Sequence, residues 1–496
     1  MKNLLRDIGY SARTLRKSLP FTLVALLTIA LGIGASTAIF SVVNAVLLRP
    51  LPYTDAERLV LIWGDLRARD VFDFPFPPAD FHDLREQGTL FEEFGAVSTG
   101  RQTVSGDDGE PERIIVAGVT ANLFSMLGMR TIAGRGFNPD DALPQAPPPE
   151  GVTAQNTPVP LPAITVLSHR FWQRRYGGAA DVLGRTIDLG GQRAEVVGVL
   201  APGAELLFPP GTNVEQIPDV WTALRVDYAA GSRINVFLRV IGKLKPGVSV
   251  AAAQSQLDGI ATSLRQQFPI KETADLRFRV EPMHDDLVAD VQPLILALMG
   301  AVLFVLLIAC ANVANLLLVR SAARERELAV RAALGGSRSR LMMMVLAESL
   351  VLGTGGALIG LVFARLGIQA LLGLRPDGLP RMESIRLDPL VLGFTVAASF
   401  LAALAFGLVP ALRASRTDVA DVLREAGRNA CLARGRMLRS GVVVAEVALS
   451  FVLLIACGLM VRSFAALQRT DPGFDANGLL TFVANARGND GQRAAF

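Results

Sequence analysis

From Leu294 to Val319 the chain runs for 26 residues without an Asp, Glu, Lys or Arg. A helix rises about 1.5 Å per residue, so about 20 apolar residues cross the roughly 30 Å hydrocarbon core of a bilayer. Buried helices of soluble proteins rarely stay uncharged for so long, and here four similar stretches stand beside the first. Residues 21–48 and 390–412 hold no charged side chain, 341–364 hold only Glu348, and 441–461 hold only Glu446. The composition agrees, with 51% apolar and 19% charged residues and a mean hydropathy of +0.39; soluble domains carry about 25% charged residues. The chain therefore reads as an α-helical integral membrane protein of about five transmembrane helices, placed at 21–48, 294–319, 341–372, 390–412 and 441–461.

The basic start, "MKNLLRDIGYSARTLRKSLP", resembles the flank of a secretion signal. A signal's apolar region spans about 7–15 residues, whereas this one runs 28 residues from Phe21 to Leu48. It reads as an uncleaved membrane helix. Residues 1–20, with Leu4, Leu5, Ile8, Ala12 and Leu15 at helical spacing between basic residues, read as an amphipathic helix on the inner membrane surface.

Lys and Arg in short loops set orientation. The first twenty residues hold five, the 320–340 loop six and the 413–439 stretch seven, while 373–388 holds three matched by Asp377, Glu383 and Asp388. This places the N-terminus, 320–340 and 413–439 in the cytoplasm and residues 49–290 outside. Segment 49–290 carries 23 basic and 31 acidic residues, a net of −8, against +4 for the whole chain, so the remainder carries +12. The basic excess thus flanks the membrane and is no nucleic-acid footprint, which would cluster on one soluble face. Cys310 and Cys457 fall in membrane stretches and Cys431 in a cytoplasmic one. The outside segment has no cysteine, and at roughly 240 residues it is large enough to fold without a disulfide.

That segment reads as a mixed α/β domain. "ERIIVAGVT", "PAITVLS" and "RINVFLRVIGKL" are strand-like, "ANLFSMLGM" and "HRFWQRRYGG" are short helices, and "RTIDLGGQRAEVVGVL" is a hairpin turning at Gly190-Gly191. "PGVSVAAAQSQLDGIATSLRQQFP" is an amphipathic helix with Ser249 as its cap. The Pro-rich 139–162 stretch reads as a loop within the domain. A weak repeat relates residues 17–59 to 436–479, so 441–461 opens a second copy and 462–496 begins a second outside domain that is cut short.

Catalytic chemistry finds little footing. His82, His169 and His284 are scattered, with no metal-ligand spacing, and no G-x-S-x-G or G-x-x-x-x-G-K-[ST] motif occurs; "GKLKPG" lacks both the order and the hydroxyl. No catalytic, cofactor-binding or metal residues are assigned, and any nucleotide energy must come from another polypeptide. The polar residues inside the apolar runs are Glu348, Glu446, Asn312 and Asn315. A carboxylate in hydrocarbon costs a few kcal/mol, so Glu348 and Glu446 should face protein, water or a basic partner. One use is a gating contact; the plainer one is an ion pair with Arg331, Arg338 or Arg439. The asparagines can bond between helices, and "GTGGALIG" at 353–360 admits a close backbone neighbour.

Between two apolar runs lies "RERELAVRAALGGSRSR", residues 324–340. Glu327 and Arg331 pair four apart along a helix, Leu328, Ala329 and Ala332 make a small apolar strip, and Gly335-Gly336 ends the helix. A connector needs no second amphipathic face, whereas a knob docking into a cytoplasmic partner does.

Three stretches, "ALGIGASTAIFSVVNAVLLRPLPY", "RERELAVRAALGGSRSRLMMMVLAESL" and "GLVPALRASRTDVADVLREAGR", resemble the MacB/FtsX-like permeases of ABC transporters. More narrowly, they are similar to the duplicated orphan permeases of acidobacteria. The resemblance implies a periplasmic MacB-like domain over 49–290 with an inserted lobe near 120–215, a permease core over 291–413, and a cytoplasmic linker over 414–440. It further implies a coupling helix at 322–336 that seats in a separate, dimeric ABC ATPase through Glu325, Glu327, Leu328, Ala329, Arg331, Ala332, Leu334 and Gly335. Mg–ATP would then be bound by that partner and not by this chain. The implied role is export or mechanotransmission in the bacterial inner membrane, surrounded by lipid; a second permease half and a homodimer both stay open. The competing reading is a transmembrane sensor or a scaffold, for example for cell-wall hydrolases. A sensor calls for a cytoplasmic output domain after its second helix, where only about twenty residues stand before the chain re-enters the membrane.

Overall fold

Pro20 stands in the first turn of helix α1 (Leu19–Val43), where its missing N–H would have had no partner in any case. The computed structural model describes residues 9, 11, 13–106, 109–144, 162–323, 337–374, 381, 384–414 and 428–468. The chain divides into two units, one taking in Met1–Arg49 with Val291–Val483 and the other Pro50–Asp290.

After α1 and a π-helical turn at Asn44–Leu48, the second unit runs through β1 (Leu59–Leu66), β2 (Val71–Phe74), α2 (Pro78–Gln87), β3 (Phe91–Gly106), β4 (Gly109–Val119) and α3 (Leu123–Leu127). It continues with β5 (Thr131–Gly134), β6 (Ala163–Leu167), α4 (His169–Tyr176), β7 (Thr186–Leu189), β8 (Gln192–Leu200), β9 (Val220–Ala223) and β10 (Arg239–Leu244). It ends with α5 (Val250–Gln267), α6 (Pro269–Thr273), β11 (Leu276–Pro282) and α7 (Met283–Val288). The strands form one mixed sheet in the order β11-β1-β10-β3-β4-β9-β6-β8-β5, with β2 on β1 and β7 on β3 and β8.

Two cores share this sheet because β3 is long enough to serve both. Phe91, Phe94 and Ala96 of β3 join Val60, Ile62, Val240, Phe278 and Val280 under α5, which contributes Ala253, Leu257, Ile260, Ala261 and Leu264. That spacing is one face of a helix, and each large aliphatic buried there stabilises the fold by about 1.5–3 kcal/mol. Further along, Val104, Ile114 and Val116 join Leu167, Phe171, Val196, Val199 and Val220. The second core thus begins on the β3–β4 hairpin, ahead of the 120–215 lobe suggested by the resemblance.

Local signals hold at the turns. Gly190 and Gly191 take φ values of 62° and 93° between β7 and β8, the positive-φ pair of a tight hairpin. Ser249 caps α5 by accepting from the Ala252 N–H. The strand expected over "RINVFLRVIGKL" starts later, at Arg239. The Ser232 hydroxyl takes the N–H groups of Ile234 and Asn235, offering that backbone a turn in place of a ladder. The outer side of β11 is closed by α5, where the Gln254 amide donates to the Phe278 carbonyl at 2.7 Å and accepts from the Val280 N–H at 2.8 Å. This side chain stands in for a neighbouring strand and blunts an edge that would otherwise invite pairing.

The first unit continues with α8 (Gln292–Ala323), α9 (Arg338–Leu374), α10 (Pro389–Ala414) and α11 (Arg428–Gln468). With α1 these supply five helices long and apolar enough to cross a membrane. Residues 13–16 ahead of α1 are helical. Leu15, expected on a membrane-surface helix, is buried in the cluster of Ile29, Val313 and Leu352, and Ser11 is buried as well.

Candidate functional site

Gly356 and Gly360 of α9 sit where α1 comes closest. A Cβ on Gly356 would lie 2.4 Å from Ile29 Cγ2, and one on Gly34 would lie 2.9 Å from the Gly360 carbonyl oxygen. Ala30, Gly34 and Ala38 on α1 and Gly356, Gly360 and Ala364 on α9 place small residues every fourth position, the spacing that lets membrane helices approach backbone to backbone. "GTGGALIG" is therefore packing surface. Around this seam Ile29, Ile33, Val313, Leu317, Leu352 and Phe406 fill the bundle core, and the Thr37 and Thr395 hydroxyls meet at 3.1 Å between α1 and α10.

Polar groups pin both ends of α1. At its start, Arg320 from the last turn of α8 pairs with Glu348 of α9 at 2.7 Å. The same guanidinium donates to the Thr14 carbonyl at 3.2 Å and lies over the Phe21 ring, 4.6 Å from its centroid. At the other end, Asn44 donates to Asp388 and Arg381 to the Arg49 carbonyl, each at 2.6 Å. Asp388 also accepts from the Val391 N–H and so caps α10.

Among the described residues Glu348 thus pairs with Arg320 and not with Arg338, which lies ten residues, about 15 Å, away along the same helix; Arg331 and the Arg439 side chain fall outside the described residues. Arg320 was legible only as the one base at the end of an uncharged run, and choosing it requires the α8–α9 packing. Asn312 and Asn315 make no interhelical hydrogen bond among the described residues, and Asn315 Oδ1 is buried without one. Packing at that level is made by Val313, Ala314 and Leu317 instead. Glu446 is half-buried, three residues past Val443 where the apolar span of α11 begins, shallow enough for a carboxylate to reach the interface. The coupling residues Glu325, Glu327, Leu328, Ala329, Arg331, Ala332, Leu334 and Gly335 lie outside the described residues. So do 145–161, 415–427 and 469–496. Among the described residues no three His, Cys, Asp or Glu gather as metal ligands.

In the α/β unit the chain enters and leaves on neighbouring strands. β1 and β11 pair antiparallel with Val60 opposite Pro282, so the first residues of β1 lie beside the last of β11. Both links are tied down. The Tyr53 hydroxyl donates to the Glu205 carbonyl at 2.8 Å and accepts from the Leu207 N–H at 3.0 Å, and the Thr54 N–H reaches the Leu127 carbonyl at 3.1 Å. On the exit side Trp63 of β1 donates its indole N–H to Asp286 of α7 at 2.8 Å. Burial pushes the Asp286 carboxyl above its usual range, against the pull of the Trp63 hydrogen bond and of Arg279.

Residues 22–260 match the MacB-like periplasmic core domain and residues 299–419 the FtsX-like permease C-terminal domain. The macrolide export ATP-binding/permease protein MacB of Agrobacterium fabrum is 25% identical over 62% of this chain and 43% of its own length. That of Burkholderia thailandensis is 24% identical over 73% of this chain and 50% of its own. A probable syringafactin export ATP-binding/permease protein of Pseudomonas syringae is 24% identical over 62% and 42%. The chain thus spans about half the length, or less, of these relatives. The crystallised periplasmic region of MacB from Actinobacillus actinomycetemcomitans aligns with 50% of this chain and 97% of its own at 14% identity, with a TM-score of 0.33. With a periplasmic core domain and a permease domain matched in succession, the chain belongs to the MacB/FtsX-like permease family of ABC transporters.

Proposed function

We propose that this chain is the permease subunit of an export or mechanotransmitting ABC system, driven by a separate ATPase dimer that binds Mg–ATP. In this reading the N-terminus and residues 320–340 lie in the cytoplasm, the ATPase seats on the stretch around Leu328 and Ala332, and ATP binding moves α8 and α9. The observation that carries it is the pairing of β1 with β11. The chain leaves α1 through tied residues into β1 and returns from β11 through α7 into α8, so displacement of either helix reaches the sheet through two adjacent, hydrogen-bonded strands. The relatives are named for macrolide and syringafactin export, which supports an amphiphile or peptide as the cargo, handled on the outer side.

The test is a detergent pull-down of the tagged chain from its native membranes, comparing the intact chain with Leu328→Asp/Ala332→Asp. An ATP-hydrolysing subunit should be retained by the intact chain and lost by the variant at equal membrane abundance. Equal retention by both places docking elsewhere; retention by neither removes the coupling to a separate ATPase and leaves a sensor or scaffold.

A further inference from the structure

Arg320 and Glu348 are each only 13% exposed, and in sequence they stand on either side of residues 324–336. We infer that Arg320 is a positioning residue for the coupling step, locking α8, α9 and the start of α1 into one moving body. The inference rests on the coupling role proposed above.

The geometry is particular to arginine. One planar guanidinium brings a single nitrogen to 2.7 Å from a Glu348 carboxylate oxygen on α9, donates to the Thr14 carbonyl at 3.2 Å and lies over Phe21 of α1 at 4.6 Å. A lysine ammonium carries the charge but lacks the fork and the flat face, so it cannot hold all three at once. The pair is also poorly explained by stability alone. Taking two charges out of water roughly offsets their attraction, and well-packed apolar replacements of both partners are often as stable or more so. What the pair adds is a constraint. Sliding α8 against α9 requires separating two largely buried charges, so the two helices move together, and through Thr14 and Phe21 they carry the start of α1. The close seam of Gly34 on Gly360 then continues that body along α1, whose far end leads to β1.

The decisive variant is Arg320→Met/Glu348→Leu, which removes both charges and keeps apolar bulk. It would be compared with the intact chain in complex with its ATPase by melting temperature, ATP hydrolysis and hydrogen exchange of residues 50–290 with and without ATP. The expected result is retained ATPase, retained hydrolysis and an unchanged or higher melting temperature. The ATP-dependent exchange difference should shrink about tenfold, within the range of site-to-site coupling, and Arg320→Lys should fall between. An undiminished exchange difference would overturn the inference, since the pair would then transmit nothing. Loss of the ATPase or a lower melting temperature would overturn it too, by making the pair structural. If the intact chain holds the ATPase yet shows no ATP-dependent exchange, transmission fails while the partner stands. If it holds no ATPase, the proposed function itself has failed and this inference with it.

Discussion

Helices α1 and α11 are related in pattern, each an apolar span behind a basic flank, with mean hydropathies of 2.2 and 2.5. Their surroundings differ completely. Within this chain 44% of the α1 span is buried and none of the α11 span. Hydropathy therefore decides that both can cross a membrane and says nothing about which one packs. The difference shows in which residues are covered. Ala25, Ala30, Gly32, Gly34 and Ser36 of α1 are buried, and Gly34 sits close against Gly360. On α11 Val444, Phe451, Leu454, Ile455 and Leu459 are exposed, and Gly441 and Gly458 have no neighbour within 4 Å. Without a hydrophobic drive between helices in lipid, close backbone approach is what holds them together. Among the described residues the bundle core is made by α1, α8, α9 and α10, with α11 outside it.

The sharpest challenge is to put the same bulk into both helices. Gly34→Leu should destabilise the protein by about 3 kcal/mol or more, since overpacking here meets backbone, while Gly458→Leu should change stability by less than about 0.5 kcal/mol. Thermal unfolding in detergent reads both, and equal effects would break the contrast. Next in size, Arg320→Ala removes an ion-pair partner from the largely buried Glu348 and should cost about 3–5 kcal/mol, whereas Arg320→Met/Glu348→Leu should be near neutral; a double-mutant cycle separates the two. Thr37→Val, which removes one buried hydroxyl contact from α1, should cost about 0.6 kcal/mol by the same unfolding assay. Leu459→Ala on α11 should have the smallest effect, within about 0.5 kcal/mol.

The spans were legible because the bilayer imposes a length that an uncharged run such as Leu294–Val319 either meets or does not. The Gly190-Gly191 turn and the Ser249 cap were legible because their chemistry is local. Neither the Arg320–Glu348 pair nor the register of Val60 on Pro282 could be read, because each joins residues far apart in sequence whose meeting depends on packing. The small residues of "GTGGALIG" announced a close neighbour without naming α1. Sequence spacing also suggested Arg338 for Glu348, where distance along a single helix excludes it. The burial of Leu15 had no local signal, since an amphipathic stripe fits a membrane surface and a helix bundle equally well.

The chain carries its own reporters for the central claim. Cys310 of α8 is 8% exposed in the bundle core and Cys457 of α11 is exposed. With Cys431→Ser to remove the third thiol, the 496-residue chain would be treated with N-ethylmaleimide in detergent and followed by peptide mass spectrometry. Buried cysteines are inert, so Cys457 should be modified to completion while Cys310 reacts at least about tenfold more slowly. Equal rates at the two positions would contradict the arrangement of a packed inner α8 and an open outer α11.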